Sequence, residues 1–123
     1  KGGENYFSLK KAKYKREQSN LLLNNIENIV KSDITNAWSA YQSTESVLNA
    51  TKAQVEAAEI ANEGITLEYE SGNTRTTLEV IQSRSLLLNA SIANAKATRD
   101  FVMSKFKLLD QLGKLTLNNI KNL

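Results

Sequence analysis

Not one proline interrupts the 123 residues, and only five glycines do, two of them adjacent at Gly2-Gly3. Proline in a helix interior removes a hydrogen bond and clashes with the preceding turn, so its absence permits helices of unusual length. From Glu4 to about Tyr69 the lone breaker is Gly64; at about 1.5 Å per residue such an arm would measure roughly 100 Å. Helices beyond about 25 residues are usually coiled coils or repeats. A second helical pattern runs from Thr76 to Leu112, roughly 55 Å at the same rise. The predicted fold is therefore all-α: a long antiparallel coiled-coil hairpin with unequal arms, about 4–69 and 76–112, joined by a turn over 70–75.

The turn carries its own chemistry. Gly72 and Asn73 tolerate left-handed backbone angles and can end the first helix. Thr74, Thr76 and Thr77 can cap the next, and Glu79 stands three residues after Thr76 as in a capping box. At the far end, Gly113 after Leu112 predicts a helix stop, with Thr116 capping a last short helix, Leu117 to Leu123.

Apolar spacing says what the helices face. Ile34, Ala37, Tyr41, Thr44, Leu48, Thr51, Val55, Ala58, Asn62, Ile65 and Tyr69 follow at alternating steps of three and four, the seam of a left-handed supercoil. Beside it, about 100° around the helix, runs a seam of mostly small residues: Ala40, Ser43, Val47, Ala50, Gln54, Ala57, Ala61 and Gly64. Two seams imply two neighbours, hence a helix within a ring or larger bundle. In the second arm the predicted seam is Leu78, Ile81, Ser85, Leu88, Ile92, Ala95, Arg99, Val102, Phe106 and Leu109. The shorter arm leaves Glu4 to Ile34 with no partner in this sequence, to be covered by missing chain or another subunit.

The inventory argues against chemistry. Without His or Cys, the common acid–base, nucleophilic and zinc-binding sets are missing. Glu56, Glu59 and Glu63 fall on one polar helix face, and Gly72 is no phosphate loop. Neither an enzyme nor a cofactor is expected. Apolar runs such as Leu21–Leu23 and Leu86–Leu88 reach only three residues, far short of the roughly 20 that span a bilayer as a helix. Lys10, Lys11, Lys13, Lys15 and Arg16 surround Tyr14, a pattern known from nucleic-acid patches. Glu4 and Glu17 flank it and favour a solvated helix face; no nucleic acid is expected. Trp38 is expected to lie between the two seams against a neighbouring helix. The chain opens at Lys1 rather than methionine, as an excised piece would. The best candidate for specific function is the group Tyr69, Arg75 and Glu79 at the turn, with local turn stabilisation as the alternative.

The ordered set of motifs resembles the TolC family of outer-membrane channels. It comprises Gly2-Gly3 entering a long helix, Ala37-Trp38-Ser39-Ala40-Tyr41, Ala57-Ala58-Glu59 and Glu68-Tyr69-Glu70-Ser71-Gly72. Thr74 through Val80, Leu86 through Ala90, Arg99-Asp100-Phe101 and Leu109 through Leu115 continue it. The resemblance implies a segment of a trimeric channel whose β-barrel continues into an α-helical tunnel crossing the periplasm, for type I secretion or multidrug efflux. Lys1–Gly3 would leave a barrel strand, the two arms would be tunnel helices, and residues 114–123 would begin the belt around the tunnel. The turn would be the periplasmic tip. There Tyr69, Arg75 and Glu79 match the family's gate positions, while Gly72, Asn73 and Thr74 would meet a periplasmic adaptor that links to an inner-membrane pump. Gln82 stands where relatives carry a second acid, and the loop is one residue longer than theirs. The competing expectation is a soluble coiled-coil module such as an adaptor hairpin.

Overall fold

The computed structural model of the chain describes residues 2–72 and 74–121. They form two helices, α1 (Gly2–Glu70, 69 residues) and α2 (Thr77–Lys121, 45 residues), with no strand among the described residues. The all-α hairpin with unequal arms holds. Its bounds differ at both ends: Gly2 and Gly3 are already helical, and α2 runs straight through Gly113.

The helix stop at Gly113 is therefore overturned, and with it the separate last helix from Leu117; Asn122 and Leu123 lie outside the described residues. A glycine ends a helix by taking a left-handed conformation, and among the described residues only Gly72 has positive φ, at 80°. In a helix interior glycine costs only about 1 kcal/mol, which the 45-residue helix absorbs. Thr116 does not cap; its hydroxyl donates to the Leu112 carbonyl four residues back, at 3.1 Å, the bond of a threonine inside a helix.

Two compact units divide the chain. One comprises residues 37–109. Here the predicted α1 seam is the packed one: Leu48 and Thr51 are buried, and Ala37, Tyr41, Thr44, Val55, Ala58, Asn62 and Ile65 are half-buried. Tyr69, at its end, is exposed. The small-residue seam from Ala40 to Gly64 is exposed throughout. On α2 the buried residues are Val80, Ser83, Ala97, Ser104 and Leu108, with Leu87, Ala90, Asn94 and Phe101 half-buried between them.

This corrects the second seam. Each residue from Leu78 to Leu109 assigned to it is exposed, and each lies two positions before a packed residue, about 200° around the helix. The predicted seam is the outer face of α2. The inner face is less apolar than the outer one because Ser83, Asn94, Ala97 and Ser104 interrupt Val80, Leu87, Phe101 and Leu108. Thr44 and Ser104 place their hydroxyls 2.7 Å apart, Thr51 donates to Asn94 Oδ1 at 3.2 Å, and Ser83 donates to Asn62 Oδ1 at 3.3 Å. As the α1 number rises its α2 partner falls, which fixes the helices as antiparallel. Trp38 is half exposed and stacks on Tyr41 (5.8 Å between ring centroids), which meets Phe101 at 5.3 Å.

The other unit joins residues up to 36 of α1 to residues from 110 of α2. Val30 is buried in it, with Ile34, Gln111, Leu115 and Asn118 half-buried. The unpartnered stretch of α1 is thus shorter than Glu4 to Ile34, because α2 continues past Gly113. Every residue from Gly2 to Ile29 is exposed. No helix among the described residues is long and apolar enough to cross a membrane.

Candidate functional site

The turn between the helices is built as its residues dictate. The Ser71 amide donates to the Leu67 carbonyl (3.0 Å) and the Gly72 amide to that of Tyr69 (3.1 Å), closing the last turn of α1. Gly72 then takes the left-handed conformation that a Cβ would oppose. On the other side the capping box forms in both directions. The Glu79 amide donates to Thr76 Oγ1 at 3.2 Å, and the Thr76 amide donates to Glu79 Oε2 at 3.0 Å. Two amides that the helix start leaves without partners are thereby satisfied.

Arg75 ties the two sides together. Its Nε donates to Glu68 Oε2 at 2.5 Å, and its Nη1 lies 4.0 Å from Glu79 Oε2. The hydrogen bond that Arg75 donates to Glu68, then the charge of Glu68, holds the guanidinium above its ordinary pKa. A raised arginine contributes its interaction at every pH below its unfolded pKa and loses it only in strong alkali, so titration of Arg75 does not switch this contact. Tyr69 reaches across to Thr77, with the two hydroxyls 3.2 Å apart.

The structure thus brings Tyr69, Arg75 and Glu79 to one turn. Gln82, one helical turn beyond Glu79, shares with Arg75, Glu79, Ala58 and Ala61 the wall of a groove of about 230 Å³. Gly72 and Thr74 are exposed at the apex; Asn73, the third docking candidate, lies outside the described residues. Sequence reasoning missed Glu68. It stands seven residues before Arg75 across a chain reversal, where no helical spacing pairs them. The signal that could have found it is simple: once the turn is placed, Glu68 is an acid on the last helical turn facing a lone arginine.

Over 119 residues, 97% of its length, the chain is 26% identical to the outer membrane efflux protein BepC of Brucella suis biovar 1 (strain 1330). It is a distant relative of an outer membrane efflux protein. The alignment takes in both helices and the turn, and the chain spans 26% of that protein's length. No family model and no solved structure matches the chain.

What the turn can do is mechanical. Its polar groups pair with one another, and the acids at Glu68 and Glu79 converge on one arginine. Such an arrangement holds two helix ends at a set spacing.

Proposed function

We propose that this chain is the helical-tunnel portion of a TolC-like outer-membrane export channel for type I protein secretion or drug efflux. In this reading it works in the periplasm as part of a homotrimer. A β-barrel outside this stretch sits in the outer membrane, and a periplasmic adaptor and an inner-membrane pump are its partners. The turn around Arg75 is both gate and docking tip. The protein passes its cargo without chemistry, so it is no enzyme and takes no cofactor.

The observation that carries the reading is a pair of uncovered seams. α2 exposes Leu78, Ile81, Leu88, Ile92, Val102, Phe106 and Leu109 opposite its packed face, and α1 exposes its small-residue seam beside its own packed face. Large apolar knobs on one helix and shallow small-residue holes on another are what neighbouring hairpins need to pack side by side. The distant kinship with an outer membrane efflux protein points the same way. The unequal helices, 69 and 45 residues, disfavour an adaptor hairpin with matched arms.

Two experiments on the full-length protein test the two parts. Cysteines at Ala57 and Leu88 stand at similar levels on the two seams; oxidation should link protomers into covalent trimers on a denaturing gel, and monomers alone would defeat the packing. In planar bilayers Arg75→Ala or Glu79→Ala should raise single-channel conductance severalfold. Unchanged conductance in both would remove the gate from the turn.

A further inference from the structure

The segment Asn5–Arg16 is set apart by charge. It holds five of the chain's 16 basic residues and none of its 13 acidic ones, which leaves the rest of the chain, with 11 against 13, slightly acidic. Three of the chain's eight aromatic residues fall in the same twelve positions: Tyr6, Phe7 and Tyr14. All belong to a part of α1 where nothing is buried, with Tyr6 62%, Phe7 71%, Leu9 72% and Tyr14 57% exposed.

The side chains are interleaved. Lys10 Nζ lies 5.8 Å from the Tyr6 ring centroid, and Tyr6 meets Phe7 edge to face at 6.1 Å. Tyr6, Lys10 and Tyr14 follow at steps of four on one helix face. Shallow hollows flank Tyr14, one walled by Tyr6 and Lys13, the other by Phe7 and Lys11. Water alone is a poor partner for four large apolar side chains in twelve residues.

We infer that this face of α1 is a docking surface for an anionic phospholipid bilayer. Lysines pair with the headgroup phosphates while their stems lie along the interface, and Tyr and Phe rings settle at the depth where one side is apolar and the other wet. With no helix that can span a bilayer among the described residues, this contact is peripheral: the segment Asn5–Arg16 meets the surface without crossing it. The aromatic residues favour a lipid interface over duplex nucleic acid, whose recognition by a helix rests on basic and polar side chains reaching phosphates and base edges. The inference stands on charge and exposure and does not depend on the channel reading.

Vesicle co-sedimentation of the whole 123-residue chain tests it, comparing phosphatidylcholine alone with phosphatidylcholine containing phosphatidylglycerol. Binding should need the anionic lipid and fall with added salt. Lys10→Gln with Lys11→Gln and Lys13→Gln should weaken it on the order of a hundredfold, at about a factor of five per lysine, with unchanged circular dichroism. Phe7→Trp in a Trp38→Phe background should be quenched by bromine-labelled acyl chains, which reports ring insertion independently of the lysines. Equal binding to uncharged vesicles, no loss in the triple variant, absence of quenching, or tighter binding to duplex DNA than to anionic vesicles would each overturn the inference.

Discussion

At the scale of single residues, the turn is specified by Gly72 and by the Thr76–Glu79 pair. Thr76→Ala removes the acceptor for the Glu79 amide, and loss of such a cap costs about 1 kcal/mol. Thermal unfolding followed by circular dichroism should show a lowered midpoint for Thr76→Ala and a nearly preserved one for Thr76→Asp, since a carboxylate also caps. Equal midpoints for the parent and the alanine variant would mean the cap contributes nothing. Arg75 differs in kind. Its contacts with Glu68 and Glu79 are exposed, so salt screens them and they set geometry more than stability. The capping box was legible in the sequence because Thr76 and Glu79 are three apart on one helix. The Glu68–Arg75 contact was not, because it crosses a reversal whose path no periodicity encodes.

At the scale of elements, the lesson lies in the contrast between the two helices. The α1 seam was readable from Ile34 to Ile65 because steps of three and four persist even where the residue is Thr or Asn. On α2 the same period fits two opposite faces. The outer one, with Leu88, Ile92, Val102 and Phe106, is the more apolar, yet the helix packs through the face on which Ser83, Asn94, Ala97 and Ser104 alternate with Val80, Leu87, Phe101 and Leu108. Hydrophobicity chose the wrong face; close approach and cross-helix hydrogen bonds chose the right one. Ala97 is only 4% exposed, so Ala97→Leu should overpack the seam and cost about 1–3 kcal/mol in chemical denaturation, whereas Ala95→Leu on the outer face should change little. Gly113 gives a sharper test. It is helical, with nothing within 4 Å of an added Cβ, so Gly113→Ala should stabilise α2 by about 1 kcal/mol. A lowered midpoint would restore the helix stop that its sequence position suggests.

At the scale of the whole molecule, the exposed apolar side chains exceed what a solitary soluble chain usually carries. Among them are Leu21, Leu22, Ile26 and Ile29 as well as the outer face of α2. The isolated chain should self-associate, its sedimentation coefficient rising with concentration. Leu88→Lys with Phe106→Lys should shift it toward monomer, and a monodisperse monomer of the parent chain would contradict this. The polar seam also has a calorimetric signature. Heat capacity of unfolding tracks apolar surface hidden from water and is reduced by polar surface. An interface that interleaves Ser83, Asn94, Ala97 and Ser104 with Val80, Leu87, Phe101 and Leu108 therefore holds the hairpin in register while giving it a smaller heat-capacity increment than a wholly apolar seam, hence a flatter stability curve with cold unfolding displaced to lower temperature. If the outer faces close against neighbours as the channel reading proposes, a further increment accompanies that assembly, and a scanning calorimeter would register the neighbours as well as the fold.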